Sequence, residues 1–178
     1  MPEHIIGAII EAAAELLSGG VVEGVVELTK RGDTPTGTTP AKSALAAIFQ
    51  GRLLDEYRAP KNRRELTNPT SVAERKNPVC GDALRIMVRV VDGTVVDVAF
   101  LGHGCSIAMA SASLMTQAMV AQPSAQAKST VETLHAMLRG AAAEALPTLV
   151  DPLRAVAPFP ARHGCVMLPW LALRDALG

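Results

Sequence analysis

The chain has 178 residues, and its 17 lysines and arginines balance its 17 aspartates and glutamates, so there is no charge excess to attract nucleic acid or an anionic membrane. Aromatic residues amount to 3 %, too few for base-stacking platforms, and the core must be built from Ala, Val, Leu, Ile and seven Met. This length suits one globular domain with a proper core plus an extension.

The N-terminus reads Met-Pro-Glu-His, without the basic run that opens a secretion signal, and the apolar stretch behind it is short and broken by Glu11 and Glu15. A soluble, cytoplasmic protein without a membrane span is expected. Residues 5–17 place Ile5, Ile6, Ile9, Ile10, Ala13, Leu16 and Leu17 at helical spacing, and Gly19-Gly20 ends the pattern. This predicts an amphipathic helix that packs on the body of the protein or on a second copy, the latter making a homodimer, with a dedicated docking arm as the alternative. A Val-rich piece, "VVEGVVEL", leads into "KRGDTPTGTTPAKS", which reads as a linker. The boundary falls near residue 42, giving an N-terminal extension over 1–42 and a main domain over 43–178.

From Ser43 to Tyr57, the apolar positions Leu45, Ile48, Phe49, Leu53 and Leu54 predict a second helix that stops before Pro60. "LRIMVRVV", "DG" and "TVVDVAFL" form a hairpin signal. A two-residue turn would put Asp97 on the face of Leu84, Ile86, Val88 and Val90. A three-residue loop, Val91-Asp92-Gly93, is expected instead, pairing Val90, Val88, Ile86 and Leu84 with Thr94, Val96, Val98 and Phe100. Asp92 and Asp97 then belong to a turn and a solvent face. Behind "GHGC", the Ala-rich "SIAMASASLMTQAMVA" predicts a largely buried helix capped by Ser106 or the residue before it. Met109, Met115, Met119 and the later Met167 read as core packing. "SAQAKSTVETLHAMLRG" predicts a helix closed by Gly140, and Pro147, Pro152, Pro158 and Pro160 then interrupt. "VMLPWLALRDAL" predicts a terminal helix with Pro169 in its first turn or bending it. The order helix, sheet, helices makes the fold class α+β: a small antiparallel sheet with helices packed on one face.

The three cysteines are an odd number without a secretion signal, so reduced thiols are expected. Each lies at a punctuated junction: Cys80 between Pro78 and Gly81, Cys105 after Gly102 and Gly104, and Cys165 after Gly164 at the entry to the last helix. Cys105 and Cys165 are expected near helix N-termini, where the macrodipole favours thiolate over thiol. Twenty-four residues lie between the first two cysteines and fifty-nine between the last two, so a shared site must be assembled by the fold. Three thiolates with the carboxylate of Asp82 suit a tetrahedral zinc ion, and the same four suit a small iron-sulfur cluster. Separate buried cysteines are the plain alternative.

From about Leu53 to the end, the chain resembles the U-type iron-sulfur assembly proteins of the SufU and IscU family. "LLDEYRAPKNRREL" is similar to the family's entry helix and its tail, and "NPVCGD", "GHGCSIAMASASLMT" and "FPARHGCVMLPWLAL" are similar to its three cysteine motifs. Residues 1–42 lie outside the resemblance. The serine-alanine run, the long interval before the third cysteine and the "FPAR" to Trp170 block look more like the SufU branch. The resemblance implies a SufU/IscU-like fold, with one Zn2+ bound by Cys80, Asp82, Cys105 and Cys165 and Cys80 as the catalytic persulfide acceptor. It implies a zinc-dependent sulfurtransferase whose partner is a cysteine desulfurase of the SufS type, which offers a histidine to the zinc and so frees the first cysteine. Downstream iron-sulfur assembly proteins would receive the sulfur. The alternative it carries is a non-catalytic IscU-type scaffold that assembles and transfers a [2Fe-2S] cluster, holding iron or the cluster instead of zinc. Gly81 is expected to let Cys80 and Asp82 turn to one ion. The third motif departs from the family in having Gly164 directly before Cys165, with His163 one place earlier. His163 and His103 read as solvated loop histidines, and Arg162 as either a partner contact or half of a surface ion pair.

Overall fold

The structure, a computed structural model, describes residues 51–142 and 146–178. The expected N-terminal helix, Val-rich piece, linker and boundary near residue 42, with the first part of the Ser43–Tyr57 helix, lie outside the described residues. The elements run α1 (Arg52–Arg58), β1 (Ser71–Lys76), β2 (Ala83–Val91), β3 (Thr94–His103), α2 (Ser106–Met119), α3 (Ser124–Leu138), a 3-10 stretch (Thr148–Val156) and α4 (Pro160–Leu177). The strands form an antiparallel sheet in the order β1-β2-β3, so the α+β expectation holds. No described helix is long and apolar enough to cross a membrane.

β1 is an element the sequence periodicity does not signal. Its Ser-Val-Ala-Glu-Arg-Lys run has one large apolar residue, Val72, and that side chain is 41 % exposed. Pairing to β2 makes it a strand: Ala73 lies opposite Ile86 and Arg75 opposite Leu84. Arg75 reaches from this edge to an ion pair with Asp175 of α4.

The hairpin corrects the expected register. Its turn has two residues, Asp92 and Gly93, at φ of 50° and 73°, the left-handed pair that a type I′ turn requires, and Val91 pairs with Thr94. A bulge removes the conflict of faces that such a turn creates. Val90 pairs with Val95 but Arg89 pairs with Asp97, leaving Val96 as the extra residue. Beyond the bulge Val88 meets Val98 and Ile86 meets Phe100, all fully buried, and Val96 is turned outward. Asp97 faces outward too, where the Arg64 guanidinium donates to both its oxygens at 2.7 and 2.9 Å.

The helices cover the face bearing Leu84, Ile86, Val88, Val98 and Phe100. The opposite face carries a small cluster of Leu66, Met87 and Ala99. Between Ile107 and Met119 every residue of α2 except Gln117 is buried, as its Ala-rich composition predicts. Small residues let α4 approach closely. The Ser111 hydroxyl donates to the Val166 carbonyl at 2.8 Å and accepts the Trp170 indole N–H at 3.0 Å, so Trp170 buries both ring and donor. All four methionines read as core are buried. On the other side of α2, the buried Glu56 of α1 accepts from the Ser113 hydroxyl and from Gln117 Nε2. Lys61 N–H donates to Ser113 Oγ at 2.7 Å and Asn62 Nδ2 to Thr116 Oγ1 at 3.1 Å, docking the entry helix and its tail on α2.

α3 ends with Arg139 as its cap and Gly140 at φ 91°, as expected. The terminal helix corrects another boundary. α4 starts with Pro160 in its first turn, so Pro169 lies mid-helix and Cys165 lies inside the helix. Pro169 has no N–H to give to the carbonyl four residues earlier, that of Cys165.

Gly102 sets the close approach of β3 to β2 beside the site. Its φ is 135°, and a Cβ there would lie 2.2 Å from the Ala83 carbonyl oxygen. Gly93 also has positive φ but open space around it. In urea melts, Gly102→Ala should therefore cost about 3 kcal/mol or more, whereas Gly93→Ala should cost about 1 kcal/mol. Equal losses at the two positions would contradict the crowding at Gly102.

Candidate metal centre

The six residues 77–82 join β1 to β2, and their own polar groups shape the loop. Asn77 N–H donates to the Asp82 carbonyl at 2.8 Å, and the Asn77 carbonyl accepts Gly81 N–H at 2.8 Å. Asn77 Oδ1 accepts Val79 N–H at 3.1 Å, a side-chain turn that carries the backbone over Pro78. Gly81 has φ 78° with nothing near its Cβ position, so glycine is needed for conformation, not for space. The loop thereby leaves Cys80 exposed and turns Asp82 inward, to 6 % exposure.

The second cysteine caps the start of α2. Cys105 is the N-cap residue in extended conformation, with no side-chain capping bond, so the cap falls one residue before Ser106. Gly104 opens the space beside it: a Cβ there would lie 3.2 Å from Asp82 Cγ and 3.3 Å from the Ala108 Cβ. The carboxylate can therefore rest against the first turn of α2. Cys165 arrives from α4 and is 2 % exposed.

The Cys80 and Cys165 sulfurs and an Asp82 oxygen lie within 4.8 Å of one another. Cys105 stands outside that trio but near enough to act on the Cys165 thiol electrostatically. Burial first, then Cys105 and then Cys80, push the Cys165 thiol up to about 12. This corrects the expectation that a helix N-terminus favours the Cys165 thiolate. Inside the helix and out of water, desolvation and neighbouring thiols outweigh the dipole. Asp82 Oδ2 is buried and has no hydrogen-bond partner among the described residues. Crowded thiols and an orphaned carboxylate oxygen fit a divalent cation, which would relieve both.

The flanking residues differ from one another. His103 is exposed at the last position of β3. His163 corrects its reading as a solvated loop histidine. It lies on α4, half-buried, and its Nε2–H donates to the Ala157 carbonyl at 2.9 Å. Arg162 is exposed and makes no ion pair among the described residues. Asn77 was not singled out from the sequence, although Asn before Pro is a turn signal that marks it.

Fold and site together define a small α+β protein with a cysteine- and aspartate-lined candidate metal centre at one end of its sheet. A family model described as the NifU-like N-terminal domain matches residues 48–164. The chain belongs to that family, among the iron-sulfur cluster assembly proteins that SufU and IscU represent, as its motifs implied. It is 36 % identical to the zinc-dependent sulfurtransferase SufU of Bacillus subtilis, over 75 % of this chain and 91 % of that one. It is 31 % identical to the iron-sulfur cluster assembly scaffold protein IscU of Streptococcus pyogenes, over 77 % of this chain and 87 % of that one. Its fold superposes with a TM-score of 0.69 on a crystal structure from Fervidobacterium islandicum assigned as an iron-sulfur cluster assembly scaffold for the SUF system. That protein is 28 % identical, and the match covers 74 % of this chain and 98 % of that one.

The orphaned oxygen has a measurable consequence. In chelator-treated protein, Asp82→Ala should raise the unfolding free energy by about 1 kcal/mol, because a buried unsatisfied group is removed. In protein supplied with zinc the same substitution should lower both stability and metal affinity. Thermal melts with and without chelator check the reversal of sign.

Proposed function

We propose that this chain is a zinc-dependent sulfurtransferase of iron-sulfur cluster assembly. Cys80 accepts persulfide sulfur from a SufS-type cysteine desulfurase in the cytoplasm and passes it to downstream assembly proteins. Cys80, Asp82, Cys105 and Cys165 would hold the zinc. The working domain is 43–178, with 1–42 as an extension. One observation carries the reading: Cys80 is exposed at the loop apex while its sulfur lies within 4.8 Å of donor atoms from the buried Asp82 and Cys165. A thiol placed so can belong to a buried centre and still meet a protein from outside. The 36 % identity to a zinc-dependent sulfurtransferase supports this choice over other roles in the family.

Bound zinc supplies positive charge that keeps the clustered thiols deprotonated at neutral pH. The chain's residues do the rest. Cys165, on a packed helix, keeps its place, and Asp82 offers a harder oxygen donor beside it. The Cys80 thiolate attacks the outer sulfur of the donor's persulfide. A new S–S bond forms at Cys80, the donor's S–S bond breaks, and the donor cysteine leaves as a thiolate. The proton stays on the transferred sulfur, so the products are a Cys80 persulfide and the donor thiolate, and no oxidant or reductant is consumed.

A second reading, a non-catalytic scaffold for a [2Fe-2S] cluster, has the IscU relative in its favour. Metal analysis separates the two. Protein purified without oxygen should be colourless with one zinc per chain, whereas brown protein with iron and labile sulfide supports the scaffold. For the transfer itself, each of Cys80→Ala, Cys105→Ala and Cys165→Ala is exposed to a cysteine desulfurase and free cysteine, then weighed by mass spectrometry. The gain of one sulfur atom should vanish in Cys80→Ala. An equal gain in all three variants would overturn the assignment of Cys80.

A further inference from the structure

The rim around the exposed thiol has a composition of its own. Val79, directly before Cys80, is 91 % exposed, more than any other exposed large hydrophobic residue described. Single exposed apolar side chains are ordinary. This one is held at a loop apex by the Asn77 turn, with Pro78 on one side and the thiol on the other. Three segments carry the cysteines: 76–82, 102–106 and 160–165. Their charged or titratable side chains other than cysteine are Lys76, Asp82, His103, Arg162 and His163. Asp82 is turned inward, and the His163 ring is bonded to Ala157. What faces solvent is therefore basic: Lys76, His103 and Arg162 are all exposed. Neither Lys76 nor Arg162 has an ion pair among the described residues. Arg63 adds a further exposed cation to Lys76 and Arg162, its guanidinium bonded to the Gly102 carbonyl at 3.2 Å. The chain as a whole is charge-balanced, so this basic rim is a local arrangement.

We infer that Val79 and the cations Lys76 and Arg162 form the docking surface for the sulfur donor. The partner is a protein presenting a small apolar socket beside its persulfide, ringed by aspartates and glutamates. The inference rests on the sulfurtransferase reading above. Burial of Val79 on docking would anchor the loop next to the reacting sulfurs. Unpaired cations around it find their complement in a carboxylate ring, which steers encounter and suppresses wrong partners. Such an anchor gives the visiting persulfide register at little entropic cost, because Val79 N–H is already held by Asn77 Oδ1.

The test uses a cysteine desulfurase whose turnover the wild-type protein stimulates, titrated with each variant at low and high salt. Val79→Asp should raise the concentration needed for half-maximal stimulation by about tenfold or more, since burial is lost and a repulsive charge is added. Lys76→Glu combined with Arg162→Glu should raise it by about tenfold at low salt and flatten its dependence on salt. Zinc content should stay at the wild-type level in both. Val91→Asp, at the exposed turn on the far end of the hairpin, is the control and should change nothing. If wild-type protein stimulates but neither variant differs from it, this docking surface is wrong and the proposed function stands. If wild-type protein stimulates no desulfurase, both fall.

Discussion

The carboxylate of Asp82 is turned inward to 6 % exposure, and one of its oxygens meets no donor among the described residues. Leaving such a group unsatisfied costs about 1–3 kcal/mol, and native folds seldom accept it. Three backbone donors of its own loop are committed elsewhere. Asn77 N–H serves the Asp82 carbonyl, Gly81 N–H serves the Asn77 carbonyl, and Val79 N–H serves Asn77 Oδ1. Every bond that shapes the loop thus withholds a donor from the carboxylate the loop delivers. The groups gathered next to it are thiols, acceptors once deprotonated, and burial with the neighbouring Cys105 and Cys80 pushes the Cys165 thiol toward its protonated state. A pocket that collects acceptors and withholds donors is organised for a cation.

Holding those groups together is a long-range task. The cysteines come from a hairpin loop, a helix cap and the second turn of the terminal helix. No local turn can set their spacing, so the core must. α2 and α4 are locked by Ser111, which bonds both Val166, the residue after Cys165, and Trp170. On its other side α2 receives the tail of α1 through Glu56, Ser113 and Asn62. Asn62 also accepts the Phe100 N–H at 3.1 Å, and Arg63 holds the Gly102 carbonyl, so the same tail braces the strand leading to Cys105. Buried polar contacts of this kind add geometric definition that apolar packing alone would leave loose.

Much of this was legible from residue patterns, and the failures have physical causes. α2 and α3 announce themselves through composition and capping glycine, and Gly81 through the crowding of two functional residues on one loop. The hairpin was recognised but misregistered. Periodicity sees which residues need burial and is blind to a bulge, which satisfies the same faces by a different route at Val96. β1 escaped because an edge strand with charged residues on its open side has little apolar signal. The start of α4 was placed too late because four prolines suggest interruption, whereas Pro160 sits where a helix tolerates it best. That error propagated to Cys165. A thiol read as lying at a helix entrance is in fact within the helix and buried, so its ionisation is governed by desolvation and not by the dipole. The four-residue set itself could be assembled in thought from glycine-flanked positions, but the orphaned oxygen that argues for a cation is visible in three dimensions alone.

The contrast between Cys80 and Cys165 also bears on which thiol can change partners. Cys165 is 2 % exposed on a helix whose neighbours Val166 and Trp170 are tied to α2, so moving its sulfur means moving the helix. Cys80 belongs to a loop whose hydrogen bonds are internal to residues 77–82, apart from its attachment to the flanking strands. Displacing that loop apex parts the Cys80 sulfur from Asp82 and Cys165 but unburies nothing at Val79, which is already in solvent. Local motions of this kind lie at the low-energy end of what a native protein can do. Within the trio, Cys165 is thus held by its helix, and Cys80 stands on the loop that it shares with Asp82.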